Sequence, residues 1–415
     1  MGVKKLGNLI YSDAPGSITY HSFREYSGEN EVIDAAIQIY KSVLSIKYRT
    51  NGKDIIGKNG RMIGHIYGIF CKITRFLRND INTIWVFDGK PPFIKKNTLL
   101  QRKKERKKTR KMFLKSDEEK KQFYNQSYVL HTEHINDIQK LLRLLGVPYI
   151  VAPEEAESVC ADMNKVGYVD GVVTDDWDAL LFGSQKMIKR LEPTYTKKNG
   201  NSENFDSYAY NNQNLVQEIH LDKILAELSL TFDEFIDFCL ILGTDYCIGV
   251  DGLDPHKAYK KFIKSDRNVI TFMEKLITKN INLKKIGKSG KYTISPNFLE
   301  QRYLARKYYK NPPHLHIDTF NTIPKLKWEQ PDIKGLKKFL CDDIGLHIHY
   351  PDIERRINYI NFLYNRHLLL TLKLFNMSYM NRLTLPPNDN KMSYGGNNNI
   401  TDYIYINIQE NIEQL

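Results

Sequence analysis

The chain has 415 residues, a formal net charge of +13, 41% hydrophobic and 12% aromatic residues, which excludes a disordered polymer and allows a large core. No run of about 18 apolar residues is present and Met1-Gly2-Val3-Lys4-Lys5-Leu6 has no signal-peptide core, so no membrane partner is expected. Five scattered cysteines (Cys71, Cys160, Cys239, Cys247, Cys341) exclude a disulfide framework and point to a reducing, intracellular setting, while the positive charge points to nucleic acid or another anionic surface.

In chain order, residues 30–37 (NEVIDAAI) predict a buried strand that carries Asp34. Ile63, Ile66, Ile69-Phe70, Ile73 and Phe76-Leu77 recur at helical spacing, and 83–88 (TIWVFD) predicts a second strand ending on Asp88. The basic run that follows, Lys95-Lys96 and Arg102 to Lys111, has too few apolar residues to form a core face and predicts mobile helices over the sheet edge. Ile135, Ile138, Leu141-Leu142 and Leu145 predict another helix. Strands at 148–152 (PYIVA) and 170–174 (DGVVT) run into Pro153-Glu154-Glu155-Ala156-Glu157 and Asp175-Asp176-Trp177-Asp178. The polar, Asn-rich stretch 195–213 predicts an inserted surface loop, and 219–265 is helical apart from Gly249 to Pro255. The tail after Pro386 is of low complexity and is expected to be flexible, and no internal repeat is present.

Strands alternating with helices predict an α/β fold, a mostly parallel central sheet covered by helices. Ligands of such sheets bind beyond the carboxyl ends of the strands. Asp34, Asp88, Asp176 and Asp178 fall there, with Glu155 and Glu157 at a helix start and Asp245 after Leu242-Gly243-Thr244. Any one of these acids is equally a helix cap or a turn residue. Their recurrence in a cationic chain points to a divalent metal, whose hard oxygen ligands are carboxylates and which activates water against phosphate esters. The basic run is by itself a solvated surface or a localisation signal; beside an acidic metal site it suits phosphate. No HExxH, GxxxxGK[ST] or GxSxG motif is present.

These residues resemble the flap endonucleases of the XPG-type structure-specific nucleases. Met1 to Leu6 is similar to the family's MGIKGL, Val86 to Pro92 to VFDGKPP, Ala152 to Glu157 to AP-x-EAEA, Thr174 to Asp178 to TEDMD, and Ile241 to Cys247 to LLGSDYC. Leu326-Lys327-Trp328 and Gly335 to Cys341 resemble its closing core segment, so the likeness runs in order from residue 1 to about 360.

The resemblance implies a PIN-like nuclease core with a helical arch and a helix–two-turn–helix that grips duplex DNA. It implies Mg²⁺-dependent hydrolysis of DNA carrying 5′ flaps, in replication or repair. Asp34, Asp88, Glu155, Glu157, Asp176, Asp178 and Asp245 would hold two Mg²⁺ ions, with Mn²⁺ as a substitute. Lys95 and Arg102 would act catalytically on the scissile phosphate. Gly2, Tyr40, Lys47, Gly252 and Lys257 would contact DNA, and a K⁺ ion would sit in the helix–two-turn–helix. The expected sections are 1–112 and 113–247 for the nuclease halves and arch, 248–285 for duplex binding, 286–385 for a helical extension and 386–415 for the tail. The expected partner is flapped or branched duplex DNA and the expected state a monomer, in a nucleus or a viral replication compartment. Asn397, Ile400, Tyr403 and Ile404 form a degraded sliding-clamp peptide.

Asp254 stands where the family has glycine, Lys47 where it has arginine, and Glu133 where lysine is common, while 195–213 is longer than the norm. A 5′–3′ exonuclease of the same superfamily, a non-catalytic junction-binding scaffold and a ribonuclease remain as alternatives.

Overall fold

The computed structural model describes residues 2–3, 5–49, 54–58, 60–113, 130–191, 195–197, 208–210, 215–285, 292–313 and 328–366. Short runs rich in β-branched and aromatic residues form β1 (Ile18–His21), β2 (Asn30–Asp34), β3 (Asn82–Phe87), β4 (Tyr149–Val151), β5 (Gly171–Val173), β6 (Lys186–Lys189), β7 (Tyr195–Lys197), β8 (Tyr208–Tyr210) and β9 (Val216–His220). Seven of them make one sheet in the order β1-β9-β6-β5-β2-β3-β4. The pairs β6–β5, β5–β2, β2–β3 and β3–β4 are parallel; β9 runs antiparallel to both β1 and β6.

Alternation along the central strands divides the core. Ile33, Trp85, Phe87 and Val173 face one side, where they pack with α2 (Ala35–Arg49) and α3 (Gly64–Arg78). Val32, Ile84, Val86 and Val172 face the other. Each such fully buried aliphatic side chain contributes roughly 1.5–3 kcal/mol of transfer free energy. The elements around the acidic residues are α1 (Leu6–Asp13) before the sheet, then α4 (Lys96–Phe113), α5 (Thr132–Leu144), α6 (Ala156–Lys165) and α7 (Asp178–Leu181). Helices α8 (Leu221–Glu227), α9 (Phe232–Leu242), α10 (Pro255–Ile263), α11 (Val269–Lys285) and α12 (Phe298–Lys310) follow. Among the described residues no helix is long and apolar enough to cross a membrane.

The α/β class and the four predicted strands are present, with three differences. The strand expected over 30–37 stops at Asp34, because that carboxylate accepts a hydrogen bond from the Ile37 N–H at 3.4 Å and so starts α2. Strands β1, β6 and β9 were not expected. Val216-Gln217-Glu218-Ile219-His220 mixes polar and apolar residues without strict alternation and lacks the continuous apolar run of the parallel strands. The stretch read as a surface loop at 195–213 carries an antiparallel ribbon, Tyr195 opposite Tyr210 and Lys197 opposite Tyr208. Residues 1–368 form one compact unit, so the expected sections up to that point are regions of a single body. The basic run is one helix, α4, as far as Phe113. The clamp-like residues Asn397 to Ile404 lie outside the described residues.

Gly89 lets β3 and β4 end close together. Its N–H donates to the Glu154 carbonyl at 2.7 Å, and a Cβ there would collide with the carbonyls of Ala152 and Pro153. That approach brings Asp88 next to the start of α6. Replacing Gly89 by alanine is expected to destabilise the fold by about 1–3 kcal/mol, read as a lower urea midpoint; an unchanged midpoint would refute the close-approach argument.

At the antiparallel edge Glu218 is buried, accepts a hydrogen bond from Tyr26 Oη at 2.9 Å and lies 3.2 Å from His220 Nε2 and 3.6 Å from Lys186 Nζ. Burial works to raise its pKa, but His220, Lys186 and Tyr26 together bring it from 4.5 down to about 2. A folded pKa below the unfolded one contributes stability above about pH 4.5 that is lost as pH falls through about 2. The thermal midpoint should therefore fall over that window, and Glu218→Gln should flatten the fall.

Candidate metal centre and nucleic-acid interface

Each acidic residue reaches the site by a different element. Asp34 ends β2, Asp88 follows β3, Glu155 and Glu157 flank the start of α6, Asp176 follows β5, Asp178 opens α7, and Asp245 lies in the turn after α9. Asp34, Asp88, Glu155, Glu157, Asp176 and Asp245 line one cavity of about 320 Å³, and Asp178 stands behind Asp176. Tyr40, Lys95 and Arg102 line the same cavity, with Ile37, Leu99 and Leu130 as apolar walls.

The seven acids are not equivalent. Carboxylate oxygens of Asp88, Glu155 and Glu157 lie within 4.8 Å of one another. Asp34 is fully enclosed, accepting from Thr174 Oγ1 at 3.0 Å; burial and then the charges of Asp88 and Asp176 push its pKa up to about 8. Burial, reinforced by Asp34, Asp88 and Asp176, also holds Glu157 well above the ordinary range. Asp176 and Asp178 are raised by burial, Asp178 further by the charges of Asp176 and Asp245. Asp88 accepts from the Ala156 N–H at 3.0 Å, so the end of β3 is tied to the first turn of α6. Asp176 accepts from the Asp178 N–H at 3.1 Å, which holds the two acids in register.

Two cations lean over these acids from the start of the arch. Lys95 Nζ is hydrogen-bonded to Glu155 and stands 3.3 Å from Asp245, with the Tyr246 ring 5.7 Å beneath it. Burial lowers the Lys95 pKa, but Glu155, Glu157 and Asp245 outweigh it, so the ammonium stays charged. Arg102 Nη2 donates to Asp245 at 2.6 Å, and Thr98 Oγ1 donates to the Asp245 carbonyl at 2.5 Å.

The residues fit a divalent cation on their own chemistry. Glu157 Oε2 and Asp178 Oδ1 are closed off from solvent and have no hydrogen-bond partner. Crowded carboxylates with raised pKa values are the condition that a hard, doubly charged ion relieves.

The other expected DNA contacts lie elsewhere. Gly2 adopts φ +74°, and a Cβ on it would run into Asp176 and Asp178, so the amino-terminal segment touches the cluster. Gly252 (φ +82°) and Lys257 are exposed at the turn before α10 and in its first turn. Asp254, the departure from glycine, caps α10: its Oδ1 accepts from the Lys257 N–H at 3.0 Å, and Pro255 follows as the first helical residue. The Lys47 side chain lies outside the described residues, and Glu133 is exposed in the first turn of α5. Reading the sequence missed Thr174, Thr98 and Tyr246; a hydroxyl immediately before the Asp175–Asp178 run was the signal for the first.

Residues 1–109 match the model of the XPG N-terminal domain and residues 146–245 that of the XPG I-region. Flap endonuclease 1 of Aedes aegypti is 34% identical over 348 residues, 83% of this chain and 82% of that protein. Flap endonuclease 1-B of Xenopus laevis is 32% identical with the same coverage. The solved flap endonuclease-1 from Methanococcus jannaschii superposes with a TM-score of 0.58 at 25% identity, covering 84% of this chain and 96% of that one. The catalytic core of Rad2 in complex with DNA substrate shares the fold, with a TM-score of 0.60 at 23% identity over 86% of this chain and 100% of that one. The matched regions and the extent of these likenesses show that the chain belongs to the XPG family of structure-specific, metal-dependent nucleases.

Proposed function

We propose that this nuclease cuts DNA at 5′ flaps with two Mg²⁺ ions, for which Mn²⁺ can substitute. One observation carries the reading: six carboxylates from five segments surround a single cavity whose rim holds two cations, Lys95 and Arg102. The flap preference draws on the likeness to flap endonuclease 1 of Aedes aegypti, which extends over 83% of this chain.

Asp88, Glu155 and Glu157 would hold one ion and Asp34, Asp176, Asp178 and Asp245 would complete the set. When bound, the ions polarise the scissile phosphate and lower the pKa of a water molecule. The protein's own groups do the rest. Lys95 and Arg102 reach the cavity from its rim and can pair with phosphate oxygens, Arg102 through a planar fork. Tyr40 is half-buried and offers a ring for an unpaired base. Ile37, Leu99 and Leu130 limit water around the reacting group and so strengthen the electrostatics inside. Hydrolysis adds one water across the broken P–O bond.

Exposed Gly252 and Lys257 would contact the duplex backbone, and a K⁺ ion at that turn would be met by main-chain carbonyls, because the Asp254 carboxylate is engaged as the cap of α10. The five cysteines are buried and none is in a disulfide, which supports a reducing compartment.

Cleavage of a labelled 5′ flap should require added Mg²⁺ and vanish on chelation; cutting that persists without metal would sink the two-ion reading. Asp176→Asn should abolish cleavage while flap binding persists. Preference for blunt duplex with mononucleotide products would instead establish the exonuclease. Lys95→Ala should lower kcat roughly 10²–10³-fold with little change in KM, measured in single-turnover and steady-state assays.

A further inference from the structure

A second cavity, of about 420 Å³, is lined by Gly2, Lys5, Asn8, Tyr11, Trp177 and Lys189 among others, Gly2 bringing it up to Asp176 and Asp178. Its size is that of a small-ligand site, roughly 300–1,000 Å³. The Trp177 indole is part of its wall. One side of it lies against Gly7, where a Cβ would come within 2.7 Å of the ring, and Lys189 Nζ stands 3.5 Å above its centroid. The Tyr11 ring meets it edge-on at 6.5 Å and remains 45% exposed.

The indole thus fixes an ammonium that burial has partly stripped of water. Burial pulls the Lys189 pKa down to about 8, and Asp175, which counters that pull, is itself ion-paired with Lys41. Lys5 adds an exposed cation at the mouth. A cavity with two ammonium groups, an amide and an open aromatic edge suits a phosphate with its attached sugar or base.

Its position along α1 says which phosphate. The Gly2 end of this segment touches Asp176 and Asp178. At the other end Asp13 Oδ2 lies 2.5 Å from His256 Nδ1 in the first turn of α10, beside the exposed turn at Gly252. The eight residues of α1 span about 12 Å. At about 3.4 Å per step, three to four nucleotides of one strand cover that distance.

The geometry points to this cavity as a subsite in which Lys5 and Lys189 hold one backbone phosphate of the cleaved strand, about two or three nucleotides from the cut on the side of α10. Tyr11 and Asn8 face the adjoining sugar or base. The inference rests on the flap-cutting reading, which it extends from the scissile phosphate to the strand that leads there. Trp177 is a positioning residue for the Lys189 ammonium.

The test uses the full chain carrying Asp176→Asn, so that the substrate survives, and flap DNAs with one uncharged methylphosphonate at successive positions next to the cut. Binding by fluorescence anisotropy should weaken about tenfold at one position, and that position should become silent in Lys189→Met. Lys189→Arg should restore it. Lys5→Met, at an exposed position independent of the indole packing, should mute the same position. On unmodified DNA each Met variant should bind several-fold more weakly and lower the salt slope by about 0.9 for the phosphate lost. Identical position profiles in the parent and both Met variants would overturn the subsite. Failure of the chain with Asp176 intact to cut the flap would overturn the flap reading itself, whichever profile is seen.

Discussion

Like charge at the carboxyl ends of parallel strands is the constraint on which the rest of the site depends. Asp88, Glu155 and Glu157 place oxygens within 4.8 Å of one another. Two unit charges at that distance repel by roughly 3–4 kcal/mol at an effective dielectric constant near 20. The start of α6 offsets some of this, but a helix dipole contributes only about 0.3–1 kcal/mol per charge. Burial, and after it the neighbouring carboxylates, hold Asp34 and Glu157 above their ordinary pKa values, so protonation relieves part of the charge. What remains calls for positive charge inside the cavity, and the protein supplies it from the rim.

That supply explains how the arch begins. Lys95 is locked between Glu155 and Asp245, Arg102 is paired with Asp245, and Thr98 bonds the carbonyl of the same residue. Three contacts spaced about one and two helical turns apart converge on Asp245, so α4 is oriented by the site and not by a hydrophobic face. Its sequence has almost no such face, with Leu99 and Leu100 standing among lysines and arginines. Helices of this kind take their order from tertiary partners. In the proposed mechanism the same two cations would pair with the phosphate once their carboxylate partners are otherwise engaged.

Much of this was legible in the sequence because it obeys simple periodicities. Buried parallel strands are unbroken apolar runs, and the acids that end them stand out in a chain of charge +13. The strands at the antiparallel edge were not legible. Their pattern is short, and Glu218 adds a charge made tolerable by Tyr26, Lys186 and His21, distant in the chain, together with His220 two residues on. Nor could spacing separate Asp88, Glu155 and Glu157 from the other four acids, since that partition depends on how closely Gly89 lets two strand ends approach. Asp254, the departure from glycine, gave no sign in the sequence of its local role. Its carboxylate caps the helix it starts, accepting from the Lys257 N–H.

Helix α1 joins these two halves of the argument. It is short, it is capped by no side chain at its start, and it is buried through Leu6, Leu9 and Ile10. Isolated helices of eight residues are marginal in water, so packing and end contacts set its position. One end is fixed by glycine packing against Trp177 and by Gly2 against two metal-site acids, the other by Asp13 against His256. A rigid strut of this kind makes the distance between the acidic cluster and the Gly252 turn, proposed above to contact the duplex, a property of the fold. A nuclease that recognises DNA by shape requires such a fixed distance, because the backbone it grips is the same at every sequence.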